Sequence, residues 1–513
     1  ASPHCLPSPN GKFIATILPS EVSIRAVETL DVVRTIKLRA DLAAAITTFA
    51  WSPTAESLLL STNDEIHVYS APDGDLHATM RNSSTSGANL SFVNFGATNR
   101  EACVCSAHGI TLSLFNLASL KTIEISNPKF YTASSATRGY SIRPLTHHLA
   151  LLTRTCGKDT VSIHAPESRQ VQRSWSPDLV DAQGLSWTPD GRWLILWESA
   201  AQGHRVIFYT PDGHKYKDWR GSLRLASSDM HGRGLGAGVR LVAFSSESQY
   251  MAIGDYSRCI SVLPLGSLTD ELQLCHPHTI EPKDTLQIWQ EQLDSSHGQS
   301  LVHMFARASQ PVAPVVRMPS NAQELRTGPL FILFDSSAAL LAVALEDAPS
   351  TLWIWDVSVS ELRAVLIFHA EISRVEWHPS QPELLLVKCE GQDHAGKVFV
   401  WDPLSEGPRA VDFTSHFAGN VSGRSSAYWL QLPEGPASLF FTDSESYLLG
   451  SMAGPEDGNV PWRLYQSAPS ASSRQAARSP LSSAKEHDMD DSDMGGDASQ
   501  LDDTFQFKKL GTD

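Results

Sequence analysis

The chain reads as an all-β propeller of about nine four-stranded blades, and three observations predict it. The phrase Trp187-Thr188-Pro189-Asp190-Gly191 recurs in altered spellings at Ser8-Pro9-Asn10-Gly11, Trp51-Ser52-Pro53, Phe244-Ser245-Ser246, Phe334-Asp335-Ser336 and Trp377-His378-Pro379. Each copy ends one apolar run and precedes another, and a third run then closes on a Trp-Asp-like pair. Two such pairs are literal, Trp355-Asp356 and Trp401-Asp402; Tyr69-Ser70, Phe115-Asn116 and Tyr209-Thr210 are degraded copies. The steps from Trp51 to Phe95, Arg143 to Trp187 and Phe334 to Trp377 are 44, 44 and 43 residues. That is the period of WD-repeat blades.

Strands are placed on short runs of β-branched, Leu and aromatic residues bounded by turn formers. Blade one takes 13–18, 21–26 and 32–38; blade two takes 46–51, 57–60 and 66–69, turning at Asp73-Gly74. Blade three takes 90–95, 102–105 and 111–115, and blade four 140–143, 149–153 and 161–164. Blade five takes 184–187, 193–197 and 206–209, and blade six 239–244, 251–254 and 259–263. The rhythm then breaks, because Phe244 and Phe334 stand 90 residues apart. Runs at 285–290 and 301–306 suggest two strands, and 310–328 reads as a long connection. Blade seven follows at 330–334, 340–344, 352–355 and 365–368; blade eight at 375–377, 384–387, 398–401 and 410–413; blade nine at 427–430, 438–441 and 447–449.

Six blades before the gap and three after it favour one large ring with an insertion at 277–328 on one face. No blade is stable alone, since each buries its faces on its neighbours. Closure is expected to need a strand shared between the termini. The last blade lacks an outer strand, which residues before Ala1 are expected to supply. The propeller domain is therefore 1–465, followed by an acidic tail at 466–513. Within that tail 486–503 holds eight acids and almost no large apolar residue. Such a segment cannot bury enough surface to offset its ordering entropy and is expected to be disordered. Phe505 and Phe507 lie in a small aromatic-basic island there, a candidate docking strand for a partner.

Apolar residues make up 42% of the 513, enough for a sizeable core. The net charge of −16 disfavours non-specific nucleic-acid or anionic-membrane binding. No apolar run is long enough to span a bilayer. Seven cysteines, an odd number scattered along the chain, fit reduced thiols in a cytosolic or nuclear protein.

The chain offers little chemistry. Gly391-Gln392-Asp393-His394-Ala395-Gly396-Lys397 has phosphate-loop spacing, but Val398 stands where Ser or Thr should hold magnesium. It also joins two antiparallel strands rather than leading into a helix, so it reads as a blade hairpin. Cys103 and Cys105 share a strand face and read as buried apolar groups. Cys275-His276-Pro277-His278 groups three potential ligands without a second cluster at zinc spacing. No nucleophile elbow, His-Glu-x-x-His or Gly-x-Gly-x-x-Gly occurs. No catalytic residue, cofactor or metal is expected. Trp51, Trp187 and Trp377, with Pro53, Pro189, Pro379 and Gly191, form one structural set; Trp355, Asp356, Trp401 and Asp402 form another. Trp219 and Trp289 fall off the pattern and are candidate exposed anchors for a partner.

Several phrases together carry a family resemblance. They are Pro349-x-x-x-Trp353-Ile354-Trp355-Asp356, Ala364-Val365-Leu366, and Trp377-x-Pro379-x-Gln381-Pro382-x-Leu384. Lys158-Asp159-x-Val161-Ser162-Ile163, Gly184-Leu185-x-Trp187-x-Pro189-x-Gly191, Leu196-Trp197-Glu198 and His276-Pro277 join them. Over about residues 1–450 the chain resembles the centrosomal and spindle-pole-body WD-repeat family that partners the SSX-interacting, minus-end-anchoring protein. It departs at Gly254-Asp255-Tyr256-Ser257, where the family has Gly-Ser-Tyr-Asp, at the displaced Cys156 and in the acidic tail, as a divergent fungal member would. The resemblance implies a non-catalytic adaptor in the cytoplasm and cytoskeleton, at the spindle pole body or centrosome. Its implied partners are a coiled-coil minus-end-anchoring protein and, in fungi, a minus-end-directed kinesin, with no nucleic acid and no membrane. Two rivals stand beside it. A translation-initiation-factor-like propeller should carry a basic patch or basic tail, and the acidic chain with its acidic tail counts against that reading. A ubiquitin-ligase substrate receptor often has Arg two residues after a Trp-Asp pair, where Ser358 and Leu404 stand here.

Overall fold

In the computed structural model the described residues are 5–465, apart from 82–89, 91, 107–108, 131–138, 200–201, 222–237, 270, 295–300, 318–327, 415–424, 433–435, 444–445 and 453–462. The chain divides into two units, Ala1–Ser467 and Ala468–Asp513. The second unit, with Phe505 and Phe507, lies outside the described residues.

The first unit is built from nine sheets, at 5–37, 48–81, 92–126, 140–175, 182–219, 239–275, 329–367, 372–412 and 426–465. Eight have four consecutive antiparallel strands; the seventh has six. The middle strands are buried on both faces, as in Leu194–Glu198, Leu340–Leu345 and Leu385–Cys389. In the four-stranded sheets the fourth strand lies at the exposed edge, and Val32–Lys37, Lys121–Ser126 and Val171–Trp175 are largely open to solvent. That exposure explains the strands the sequence does not reveal. Leu76–Arg81, Lys121–Ser126, Val171–Trp175, Lys215–Trp219 and Leu272–Cys275 each complete a blade without a continuous apolar run. A short helix, Ala40–Ala45, follows blade one and packs Leu42 between blades one and two. No helix among the described residues is long and apolar enough to cross a membrane.

The recurrent phrase is a turn between the first two strands of a blade. Its second residue is polar and buried: Ser8, Ser52, Thr188, Ser245, Asp335 and His378. Ser245 Oγ accepts the amides of Gln249 and Tyr250 at 3.0 and 2.9 Å. Ser52 Oγ accepts Glu56 and Ser57, and Asp335 Oδ1 accepts Leu340, in the same way. Three residues on, the backbone turns left-handed, at Gly11, Ala55, Gly191, Ser248 and Ala338. The turn thus needs a short acceptor more than it needs any one side chain, so the phrase drifts in spelling.

The tryptophan that opens the phrase ties blades together. Trp51 Nε1 donates to Leu6 O in blade one at 3.1 Å, Trp377 to Leu333 O in blade seven at 2.9 Å, and Trp429 to Glu376 O in blade eight at 3.0 Å. Trp187 is buried at the same place but presents its ring to Arg143.

Apolar clusters join every consecutive pair of blades. A further cluster packs Cys5, Ile14, Val27 and Leu30 of blade one on Leu430, Phe440 and Leu449 of blade nine. The nine sheets therefore close into one ring. The expected shared strand is not used. Cys5–Pro7 begins blade one and Arg463–Tyr465 completes blade nine, so each terminal blade is contiguous in sequence. The seam is held by side-chain burial, as the other eight interfaces are.

Replacing Ser245 with Ala leaves the amides of Gln249 and Tyr250 without their buried acceptor. The expected loss is about 1–3 kcal/mol of unfolding free energy. Denaturant melts of the full chain should show it, and an unchanged midpoint would refute the role given to this side chain.

Candidate interaction site at the inserted hairpin

The insertion at 277–328 builds onto the edge of blade seven. Gln287–Asp294 pairs in parallel with the outer strand Glu361–Ile367, and Val302–Arg307 pairs antiparallel with Gln287–Asp294. The added hairpin thus lies at the outer edge of the ring, where Glu361–Ile367 would otherwise expose its backbone, rather than on one face as expected. Ile280 and Val312 exchange backbone hydrogen bonds of 2.8 and 2.9 Å and close the base of the insertion.

Side chains fasten the hairpin to blade eight as well. Gln287 Nε2 donates to Pro403 O at 2.9 Å, and Lys397 Nζ donates to Leu301 O at 2.8 Å. Phe305 packs edge-on to Phe368 and Phe399. Trp289 lies against Gly407, where φ is +93° and a Cβ would come within 2.9 Å of the indole. Only glycine suits both that backbone and that approach.

At the centre stands Glu291, with both His303 and His394 against it. Glu291 and His303 come from the two hairpin strands; His394 comes from the blade-eight hairpin with phosphate-loop spacing. His303 Nδ1 is 2.5 Å from Glu291 Oε1, and His394 Nε2 is 2.9 and 3.1 Å from the two carboxylate oxygens. His303 Nε2 donates to Asp393 O at 3.0 Å, and the His369 amide donates to Glu291 Oε2 at 2.7 Å. All three side chains are buried. Burial alone would raise the Glu291 carboxyl, but the donors from His303, His394 and His369 outweigh it and hold it down at about 2.

The residues singled out in the sequence have other positions. Trp289 and Trp219 are both buried, so neither is an exposed anchor. Trp289 Nε1 donates to Gln287 Oε1 and Trp219 Nε1 to Glu271 Oε2. Their off-pattern placement reflects roles at an insertion and at a blade's outer strand, which the repeat does not encode. Trp355 and Trp401 are core residues, and Asp356 and Asp402 cap the following turns by accepting the amides of Ser358 and Leu404. Cys103 and Cys105 are buried between blades three and four, and burial pushes the Cys103 thiol well up. The expectation of uniformly reduced thiols fails at one pair. Cys259 and Cys275 face each other across adjacent strands of blade six and form a disulfide. His276 is structural, not a metal ligand. Its Nδ1 donates to Arg258 O at 2.6 Å, and its Nε2 accepts Trp355 Nε1 at 3.0 Å, which only the neutral ring can do. Glu291, His303 and His394 escaped sequence reading because no local spacing links residues from three different strands and hairpins.

No family model matches the chain. It is 23% identical over 423 residues to the mouse WD repeat-containing protein WRAP73, covering 78% of this chain and 84% of that one. It is 20% identical to an uncharacterized WD repeat-containing protein of Schizosaccharomyces pombe, covering 75% of each. The chain is a nine-bladed propeller similar to WD repeat-containing proteins. A crystal structure of a eukaryotic initiation factor superposes with a TM-score of 0.49 at 12% identity, covering 80% of this chain and 87% of that one. That likeness carries no functional weight.

The propeller's surface at the hairpin is apolar in part. Val302 and Met304 are 43% and 48% exposed and flank the buried His303 on the outermost strand. Among the described residues that strand has backbone pairing only with Gln287–Asp294. An outer edge of this kind can accept a partner strand or helix.

His276 yields a pH prediction. Burial holds its ring down at about 4, below the ordinary value near 6.5. Its contribution is therefore complete above the unfolded pKa and is lost as pH falls from about 6.5 through 4, by roughly 3 kcal/mol. Melting midpoints of His276→Gln should fall less steeply than wild type across that window, and parallel curves would refute it.

Proposed function

We propose that this propeller is a non-catalytic scaffold at the microtubule-organising centre, the spindle pole body or centrosome. There it helps anchor microtubule minus ends and organise the spindle. The observation that carries the reading is the combination of phrases from Lys158 through Leu384, set in a ring whose similarity to mouse WRAP73 covers 84% of that relative. WD-repeat propellers are in general non-catalytic scaffolds, with two faces and an outer edge on which several partners can dock together. The partner classes in this reading are a coiled-coil minus-end-anchoring protein and a minus-end-directed kinesin. Val302 and Met304, held on a rigid hairpin, suit the apolar stripe of a helix from the former.

A tagged full-length copy should concentrate at the spindle pole and co-purify with a coiled-coil anchoring protein. A diffuse, ribosome-associated signal would overturn the assignment in favour of a translation role. Val302→Asp combined with Met304→Asp should weaken capture of that coiled-coil protein roughly tenfold or more while leaving the melting midpoint in place. Undiminished capture would move the docking surface away from the hairpin.

A further inference from the structure

Among the described residues, Glu291, His303 and His394 are the one group of potential metal ligands whose donor atoms all lie within 4.8 Å of one another. We propose that they hold a divalent transition-metal ion, zinc being the probe of choice, which clamps the inserted hairpin onto blade eight. The donor set, two imidazoles and a carboxylate, is one that such ions favour.

The surroundings are those of a metal site. Ligating histidines normally donate their other ring N–H to a carbonyl or carboxylate, which fixes the tautomer. His303 does so: Nε2 donates to Asp393 O, so Nδ1, which faces Glu291, is the nitrogen left to coordinate an ion. Glu291 is likewise oriented by the His369 amide on Oε2. A tetrahedral ion with bonds of about 2.1 Å sets donor atoms about 3.4 Å apart. His394 Nε2, at 2.9 and 3.1 Å from the Glu291 oxygens, must move out by roughly 0.3–0.5 Å to reach that spacing. His303 must retreat by roughly 0.9 Å from its 2.5 Å contact with Oε1, a shift of the size a side-chain rotation gives.

Glu291, His303 and His394 crowd their polar atoms into one fully buried site. A divalent ion set among them meets all three donors at once. Because the ligands come from both hairpin strands and from blade eight, binding free energy becomes free energy of docking.

The test uses the full chain expressed with added zinc, desalted and assayed for metal by elemental analysis. Stoichiometric zinc is expected in wild type and in His278→Gln, which alters an exposed histidine outside the group. His394→Gln should retain roughly tenfold less or lower still. Because that variant can fail to fold, wild type is also stripped with a chelator and reloaded with zinc or cobalt. Its melting midpoint should fall on stripping and recover on reloading, and cobalt should give the visible absorption of a nitrogen- and oxygen-liganded site. Substoichiometric zinc, equal retention in His394→Gln, or a midpoint indifferent to stripping would mean an adventitious ion only and a clamp made of hydrogen bonds alone.

Discussion

Every blade of this ring is unfinished until its neighbours cover it. The middle strands Leu340–Leu345, Leu385–Cys389 and Lys397–Trp401 are buried from end to end, and the faces that bury them belong to the adjoining sheets. Apolar burial is the dominant favourable term, and it is non-directional. It therefore drives the blades together without deciding where the ring should end. The seam shows how little special provision closure needs. Cys5 and Ile14 meet Leu430 and Phe440 much as Trp187 and Leu194 meet Leu152 and Ile163 inside the ring. A shared strand would add backbone hydrogen bonds across the seam; here each terminal sheet keeps its own, and an ordinary interface completes the circle.

Direction comes from a sparser polar layer. The first-strand tryptophans reach back to the preceding blade's backbone, and ion pairs tie other blade boundaries: Glu101 with Arg169, Lys129 with Asp159 and Asp181, Arg258 with Asp347. Buried pairs of this kind are weak evidence for added stability, since desolvation offsets much of their attraction. Their geometry is what matters, because a blade displaced along its neighbour would leave each charge buried and alone. Apolar faces supply the association and the polar ties supply the register.

This division explains what was legible in the sequence. Second and third strands announce themselves because both faces are buried, and Phe13–Leu18, Glu21–Ala26 and Val206–Tyr209 have the bounds their apolar runs suggest. The turns were legible through the buried acceptor and the left-handed residue after it. Outer strands such as Lys121–Ser126 were not, because an exposed edge permits polar residues. Arg463–Tyr465 and Cys5–Pro7 are three residues each, too short for any periodicity, and their absence from the sequence reading produced the mistaken expectation of an exchanged strand. At the candidate site the two inserted strands were visible as apolar runs, but their parallel attachment to Glu361–Ile367 was not. Trp289 looked exposed for the same reason: nothing in the repeat predicts that Gly407 makes room for it.

A ring of near-equivalent blades has no intrinsic address. Whatever distinguishes this propeller for a partner must lie where the repeat is broken, and the largest such break among the described residues is the hairpin on blade seven. A loose insertion would have to be ordered by its partner, and that entropy would be subtracted from affinity. This one is ordered beforehand by a parallel strand pairing, a tryptophan seated on a glycine, and a buried carboxylate between two histidines. The outward residues Val302 and Met304 are thus presented from a strand whose inward neighbour, His303, is fixed. Fastening to two blades also couples the hairpin to the ring's own closure, so the platform persists only while blades seven and eight remain packed.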